Sequence, residues 1–243
     1  MRTVSALEPA QGRFFCPGPW IDRAWLCGAL ALGLLSGSAQ AASQEEILAK
    51  MESAGRAATS FSASIFQKKW TSILKEFDKG ESGTLLYLRG KQGEAYLRKE
   101  IVDPEKNIVA IYDGEVTLYE PRIKQARRYQ LGKNKDKAEF LVLGFGSTTA
   151  SLSATYNIRL LGVEKIDGQN TTMLELKPKS EKAAAYFSQI VLWVADQIWL
   201  PIQQKLVEPN GDYLLIRFTN LKLNPGIDKA RFKVAIPRDV RVD

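Results

Sequence analysis

The sequence predicts a mainly β protein built on one large, strongly curved antiparallel sheet or barrel, with a helix in front of it and few helical segments elsewhere. Three observations carry that fold class. Short runs of alternating apolar and polar residues fill the chain from Phe61 onward. Hairpin signals divide them at Asp78-Lys79-Gly80, Gly90-Lys91-Gln92-Gly93, Asp113-Gly114, Asp167-Gly168-Gln169-Asn170 and Pro209-Asn210-Gly211-Asp212. No internal repeat, low-complexity run or linker separates one part of the chain from another, which favours a single domain.

In chain order, Ser43 is placed to cap a helix, with Glu46 three residues on as the second half of a capping box. Ile47, Leu48, Met51 and Ala54 then recur at helical spacing, so the helix is expected over 44–57. Strands are expected at 61–77, 81–89, 94–102, 107–112, 115–120, 125–131, 156–166, 171–177, 187–195, 199–208 and 212–221, about eleven in all. Residues 136–146 interrupt the rhythm as a short apolar helix stopped by glycine, and Thr148 to Thr155 supply another turn or two. A connection this apolar has to bury itself, and the open mouth of the sheet is a place to do so. The tail from Asp228 to Asp243, with Phe232, Val234 and Ile236-Pro237, reads as an irregular segment returning to the sheet.

The first 41 residues read as a secretion signal. Trp25 to Leu35 are apolar, follow Arg23, and lead into Ser38-Ala39-Gln40-Ala41, the small-x-small pattern of a cleavage site. The expected division is therefore a signal peptide at 1–41 and one domain at 42–243, exported and soluble. Cys27 stands at the start of the apolar stretch, whereas lipidation requires a cysteine at its end. Both cysteines, Cys16 and Cys27, precede Ala41, and the chain has no histidine. Disulfide, thiolate and imidazole chemistry are thus excluded from the exported part, and neither a metal, a cofactor nor an enzymatic activity is expected. The formal charge of +7 favours acidic lipid surfaces or acidic proteins as partners over nucleic acid.

Other patterns dissolve in context. Gly144-Phe145-Gly146 lacks the strand and long helix of a dinucleotide fold and reads as a helix stop. Ser72-Ile73-Leu74-Lys75 matches Ser-x-x-Lys but lies in an expected strand, without its companion motifs. Asn170-Thr171-Thr172 coincides with a turn that favours asparagine anyway. Trp70, Trp193 and Trp199 read as core or rim aromatics. The basic run Arg122, Lys124, Arg127, Arg128, Lys133, Lys135 and Lys137 reads first as a solvated strand edge, with docking to an acidic membrane component as the alternative.

Several segments together resemble the periplasmic outer-membrane lipoprotein carrier family, LolA. They are the leading helix, Ser60-Phe61-Ser62-Ala63-Ser64-Ile65-Phe66-Gln67, Gly83 to Arg89, Tyr112 to Tyr119, Leu174 to Lys179, and Phe232 with Pro237. The resemblance implies an unclosed antiparallel half-barrel with a short helical lid. Its apolar cavity would take up the acyl chains of lipoproteins and ferry them from the inner towards the outer membrane. By that likeness Arg89 matches an arginine that bonds to the lid, although Gly90 stands where the family has proline. Implied partners are lipoprotein acyl chains, an inner-membrane lipoprotein-releasing transporter and an outer-membrane acceptor, the carrier itself being a monomer.

Strand parity then nominates a lining of Leu86, Leu88, Tyr96, Ile111, Leu118, Leu174, Leu176, Leu192, Ile216 and Phe218, with Phe140, Leu141 and Leu143 from the lid. The alternatives are a carrier of another lipid, or a periplasmic sensor domain of the same fold that binds a membrane-anchored regulator. Such sensors continue into a further domain, for which residues 42–243 leave no room.

Overall fold

The computed structural model describes residues 43–91, 94–133, 143–145 and 147–243. The expected signal segment 1–41 and the lid residues Phe140 and Leu141 lie outside the described residues. Ser43 caps α1 (Gln44–Ala57) as expected, its Oγ accepting from the Glu46 N–H at 3.2 Å. Ile47, Leu48 and Met51 form the buried stripe of that helix.

Seven strands follow: β1 (Ser60–Thr71), β2 (Glu76–Phe77), β3 (Glu81–Arg89), β4 (Ala95–Asp103), β5 (Asn107–Tyr112), β6 (Glu115–Glu120) and β7 (Gln125–Gln130). After α2 (Thr149–Thr155) come β8 (Tyr156–Ile166), β9 (Gln169–Pro178), the short α3 (Glu181–Ala184), β10 (Gln189–Ala195), β11 (Leu200–Val207), β12 (Tyr213–Leu223) and β13 (Arg241–Val242). One correction concerns strand number. The strand expected at 61–77 is broken by a turn at 72–75, which leaves β2 as a two-residue return, and the tail adds β13, for 13 strands in one unclosed sheet. The Asp113-Gly114 and Asp167-Gly168 hairpins carry positive φ at both residues (48° and 76°, 49° and 79°), the left-handed pair that a two-residue turn between twisted strands requires.

The spatial order is β13-β7-β6-β5-β4-β3-β1-β12-β11-β10-β9-β8, with β2 against β1. Every pairing is antiparallel except that of β13, which runs parallel to β7. β1 thus lies at the centre, while β7 and β8, neighbours along the chain, lie towards opposite margins of the sheet.

Side chains alternate between two faces. The inner face carries Phe61, Ala63 and Ile65 of β1, Leu85 and Tyr87 of β3, Leu97 and Ile101 of β4, Leu174 and Leu176 of β9, Ile190, Leu192 and Val194 of β10, and Ile216 and Phe218 of β12. They share one buried cluster with Ile47, Leu48 and Met51 of α1, Leu152 of α2, and Leu143 and Phe145. The outer face is covered in part by the tail, where Phe232 packs on Leu86 and Tyr96, and Val234 on Ile108, Ala110, Tyr119 and Ala126. Among the described residues no helix is long and apolar enough to cross a membrane.

Candidate functional site

The inner face is the largest apolar surface the fold assembles, and the chain covers it with its own segments. Phe145 is wedged between two strands: its ring centroid lies 4.5 Å from that of Phe61 and 5.4 Å from that of Phe218. Gly144, at φ +85°, lies where an added Cβ would come within 2.6 Å of the Pro201 ring, so only glycine lets the chain approach β11 this closely. Leu143 is buried beside it. The cover is joined internally by Glu52, whose Oε2 accepts from the Thr149 N–H at 2.9 Å, and by Thr149 Oγ1, which donates to Leu48 O at 3.2 Å. The Thr149 N–H holds the Glu52 carboxyl below the usual carboxylate range.

Few polar bonds fix this cover to the sheet. Gln204 of β11 is fully buried on the inner face, and its Nε2 donates to Leu143 O at 2.9 Å while its Oε1 has no partner among the described residues. Asn224 Nδ2 donates to Ala57 O at 3.0 Å, and its Oδ1 accepts from the Thr59 N–H at 2.8 Å, clamping the end of α1 to the end of β12. The Lys50 ammonium sits 4.5 Å from the centroid of the Trp199 ring. At the ends of the helices Arg89 Nη2 donates to Gly55 O at 2.8 Å and Lys179 Nζ to Ser153 O at 2.5 Å; between these ties the described part of the cover meets the sheet through apolar side chains.

A lysine also faces inward. Lys99 of β4 pairs in register with Leu85 and Val109, and its Nζ donates to Gln67 Oε1 at 2.6 Å; Gln67 in turn donates to Glu81. Burial pushes the Lys99 ammonium below the ordinary lysine pKa, against an opposing pull from Glu81. Beyond it, towards the β7 margin, a cleft of about 240 Å³ opens among Asn107, Val109, Leu118, Glu120, Gln125 and Arg127.

The nominated lining residues divide into two groups. Ile111, Leu174, Leu176, Leu192, Ile216 and Phe218 lie together on the inner face, and Leu118 borders the 240 Å³ cleft. Leu86, Leu88 and Tyr96 need correcting: they pack with Phe232 under the tail, because Leu85 to Leu88 and Tyr96-Leu97 are apolar on both parities and the residues in the inner cluster with α1 are Leu85, Tyr87 and Leu97. Of the lid residues, Leu143 is seated on the inner face. Arg89 Nη2 donates to Gly55 O at 2.8 Å, so its contact within the cover is the end of α1, and the hydrogen bond to Leu143 O comes from Gln204. Gln204, Lys99 and Phe145 were missed. The available signal was a polar residue at an inward position, Gln204 between Leu200 and Leu206, and a bulky ring between two glycines.

Part of the basic run is paired at the surface, while Lys135 and Lys137 lie outside the described residues. Arg122 pairs with Glu105 at 2.7 Å and Lys124 with Asp239 at 2.7 Å, while β13 covers the edge of β7. Among the described residues no cluster of acidic, histidine or cysteine side chains could hold a metal.

The inner face of an unclosed sheet is thus covered by α1, α2 and the Leu143 and Phe145 side chains. A family model described as outer membrane lipoprotein carrier protein LolA matches residues 56–235, and the chain belongs to that family. No curated protein sequence matches it. Among solved structures, an uncharacterized conserved protein from Thermus thermophilus aligns with TM-score 0.53 at 16% identity, covering 82% of this chain and 97% of that one. MucB aligns with TM-score 0.50 at 16% identity over 79% of this chain and spans it over only 62% of its own length. The MucA/MucB complex of Pseudomonas aeruginosa aligns at 0.48, with 16% identity, over 82% of this chain and 62% of that chain. At these identities the likeness is one of fold.

Proposed function

We propose that the protein is an exported, periplasmic carrier that shelters the acyl chains of lipoproteins on the inner face of its sheet. It would collect them from an inner-membrane releasing transporter and pass them to an acceptor at the outer membrane. The reading is supported by membership of the LolA family over residues 56–235. The observation that carries it is the seating of Leu143 and Phe145, which occupy an apolar face of the sheet through side-chain contact and one buried hydrogen bond.

Acyl chains and the cover would compete for the same surface. Burying a leucine or phenylalanine side chain is worth about 1.5–3 kcal/mol. Each buried methylene of an acyl chain contributes about 0.8 kcal/mol, so a chain of roughly four to eight methylenes matches the two residues together. Longer chains prevail over these two side chains.

The experiment is binding of a defined triacylated peptide to the parent and to Phe145→Ala, with circular dichroism to confirm the sheet. Weakening the cover removes part of the competition, so the variant is expected to bind at least about tenfold more tightly. Equal or weaker binding by a folded variant would remove the inner face from consideration. Capture of a protein partner without lipid would replace the carrier with the sensor reading.

A further inference from the structure

The β1–β2 turn carries an exposed apolar tip that the carrier function does not use. Ile73 and Leu74 are 87% and 63% exposed and belong to no apolar cluster among the described residues. Scattered exposed aliphatics are ordinary, but this pair sits on a turn that is hydrogen-bonded at both ends. The Ser72 N–H and Oγ both donate to Asp212 Oδ1, at 2.8 and 2.9 Å, Ser72 Oγ also reaches Asn210 O at 3.1 Å, and the Lys75 N–H donates to Thr71 O at 2.8 Å. The tip is therefore braced against the neighbouring β11–β12 turn.

Behind the tip the side chains are sorted by level along the strands. Next to it stand three aromatics: Trp70, paired in register with both Tyr213 and Phe77, has ring centroids 5.9 and 5.1 Å from theirs. Two residues further back, about 6.6 Å of strand rise, Lys68 and Lys205 flank Leu215 in register. Their ammonium groups lie 3.9 Å from the Phe77 centroid and 4.0 Å from the Tyr213 centroid. The lysine stems thus run forward and hold their charges against the aromatic rings, so an aliphatic tip is followed by aromatic side chains and cations together, the groups met in passing from hydrocarbon to the headgroup interface of a bilayer.

We infer that the 72–75 turn docks the protein on a phospholipid bilayer surface, with Ile73 and Leu74 inserted, the Trp70, Phe77 and Tyr213 rings at the interface, and Lys68 and Lys205 on lipid phosphates. Most acidic groups at this end are already engaged. Glu208 and Asp212 hold Lys69, and Asp78 Oδ1 accepts from the Lys69 and Gly80 N–H groups, while Glu76 stays exposed. Docking is thus led by apolar insertion, with the two lysines adding a preference for anionic headgroups. The inference does not depend on what the inner face binds.

The test is sedimentation of the protein with vesicles of phosphatidylglycerol and phosphatidylethanolamine, comparing the parent with Ile73→Ser/Leu74→Ser and with Ile123→Ser, an exposed aliphatic elsewhere. Because residues 1–42 are the same in all three, they contribute equally to each measurement. The tip variant is expected to lose at least tenfold in partitioning and Ile123→Ser to match the parent. Lys68→Gln/Lys205→Gln is expected to lose the preference for phosphatidylglycerol over phosphatidylcholine. Lipids brominated along their chains should quench Trp70 emission, read as the difference between the parent and Trp70→Phe. Equal partitioning of parent and tip variant, no partitioning of either, or unquenched Trp70 emission would overturn the inference.

Discussion

Lys99 shows how a single residue can be retained against the preference of its surroundings. Its ammonium lies on an apolar face with Gln67 Oε1 as an acceptor and Glu81 one residue further along the network. Replacing such a charge by an apolar chain of similar length is often neutral or stabilising, so Lys99→Met is expected to leave stability at pH 7 unchanged or raise it by about 1–2 kcal/mol. The pH dependence fixes the sign. Folding lowers the Lys99 pKa, so between the folded value and the ordinary value of about 10.4 the unfolded state holds more protons and stability rises with pH. Urea denaturation at pH 7 and pH 10 should therefore show the parent gaining on Lys99→Met as pH rises; a variant less stable by more than about 2 kcal/mol at both would mean the ammonium stabilises the fold. Gln204 poses the same question with an amide: among the described residues its Oε1 has no partner, an expense that the bond from its Nε2 to Leu143 O only partly offsets.

At the scale of elements, the cover is held together by a carboxylate. Glu52 of α1 accepts from the first residue of α2, and its folded pKa lies below the ordinary value of 4.5. A depressed carboxylate contributes stability that is present above its unfolded pKa and lost as pH falls through the folded one. Acidification below about pH 4.5 is therefore expected to loosen α1 from α2 before the sheet unfolds, and Glu52→Gln to remove that acid-sensitive step. Hydrogen exchange of the α2 amides between pH 3 and 6 checks it: exchange as acid-sensitive in the variant as in the parent would refute the assignment. Local elements were legible because their signals are local. The Ser43 cap, the inward stripe of α1 and the Asp-Gly hairpins at 113–114 and 167–168 stand where the sequence puts them. Facing was not legible where both parities are apolar, as in Leu85-Leu86-Tyr87-Leu88, because the tail that claims Leu86 through Phe232 begins more than a hundred residues later.

For the whole molecule, the order of strands is the part that no local pattern encodes. β1 pairs with β12 along most of its length, a contact between the two ends of the domain that hairpin signals cannot announce. The same arrangement leaves two margins that need protection. β13 covers β7, with Arg241 N–H to Lys124 O at 2.9 Å and Asp243 N–H to Ala126 O at 2.9 Å. Deleting residues 239–243 is expected to leave the sheet folded while its bared edge promotes concentration-dependent association, measurable by sedimentation velocity. A shortened chain that stays monomeric at all concentrations would show that β13 has no such protective role.

The connection from β7 to β8 has a consequence of its own. Since those strands lie at opposite margins, residues 131–155 are tethered at both ends, and Leu143 to Phe145 cannot diffuse away when displaced. Their local concentration over the inner face is set by the tether, in the millimolar range for short links, however dilute the protein becomes. If acyl chains displace them, the occupant is always in competition with a built-in rival. Its eviction is then a unimolecular event that requires no second molecule to begin.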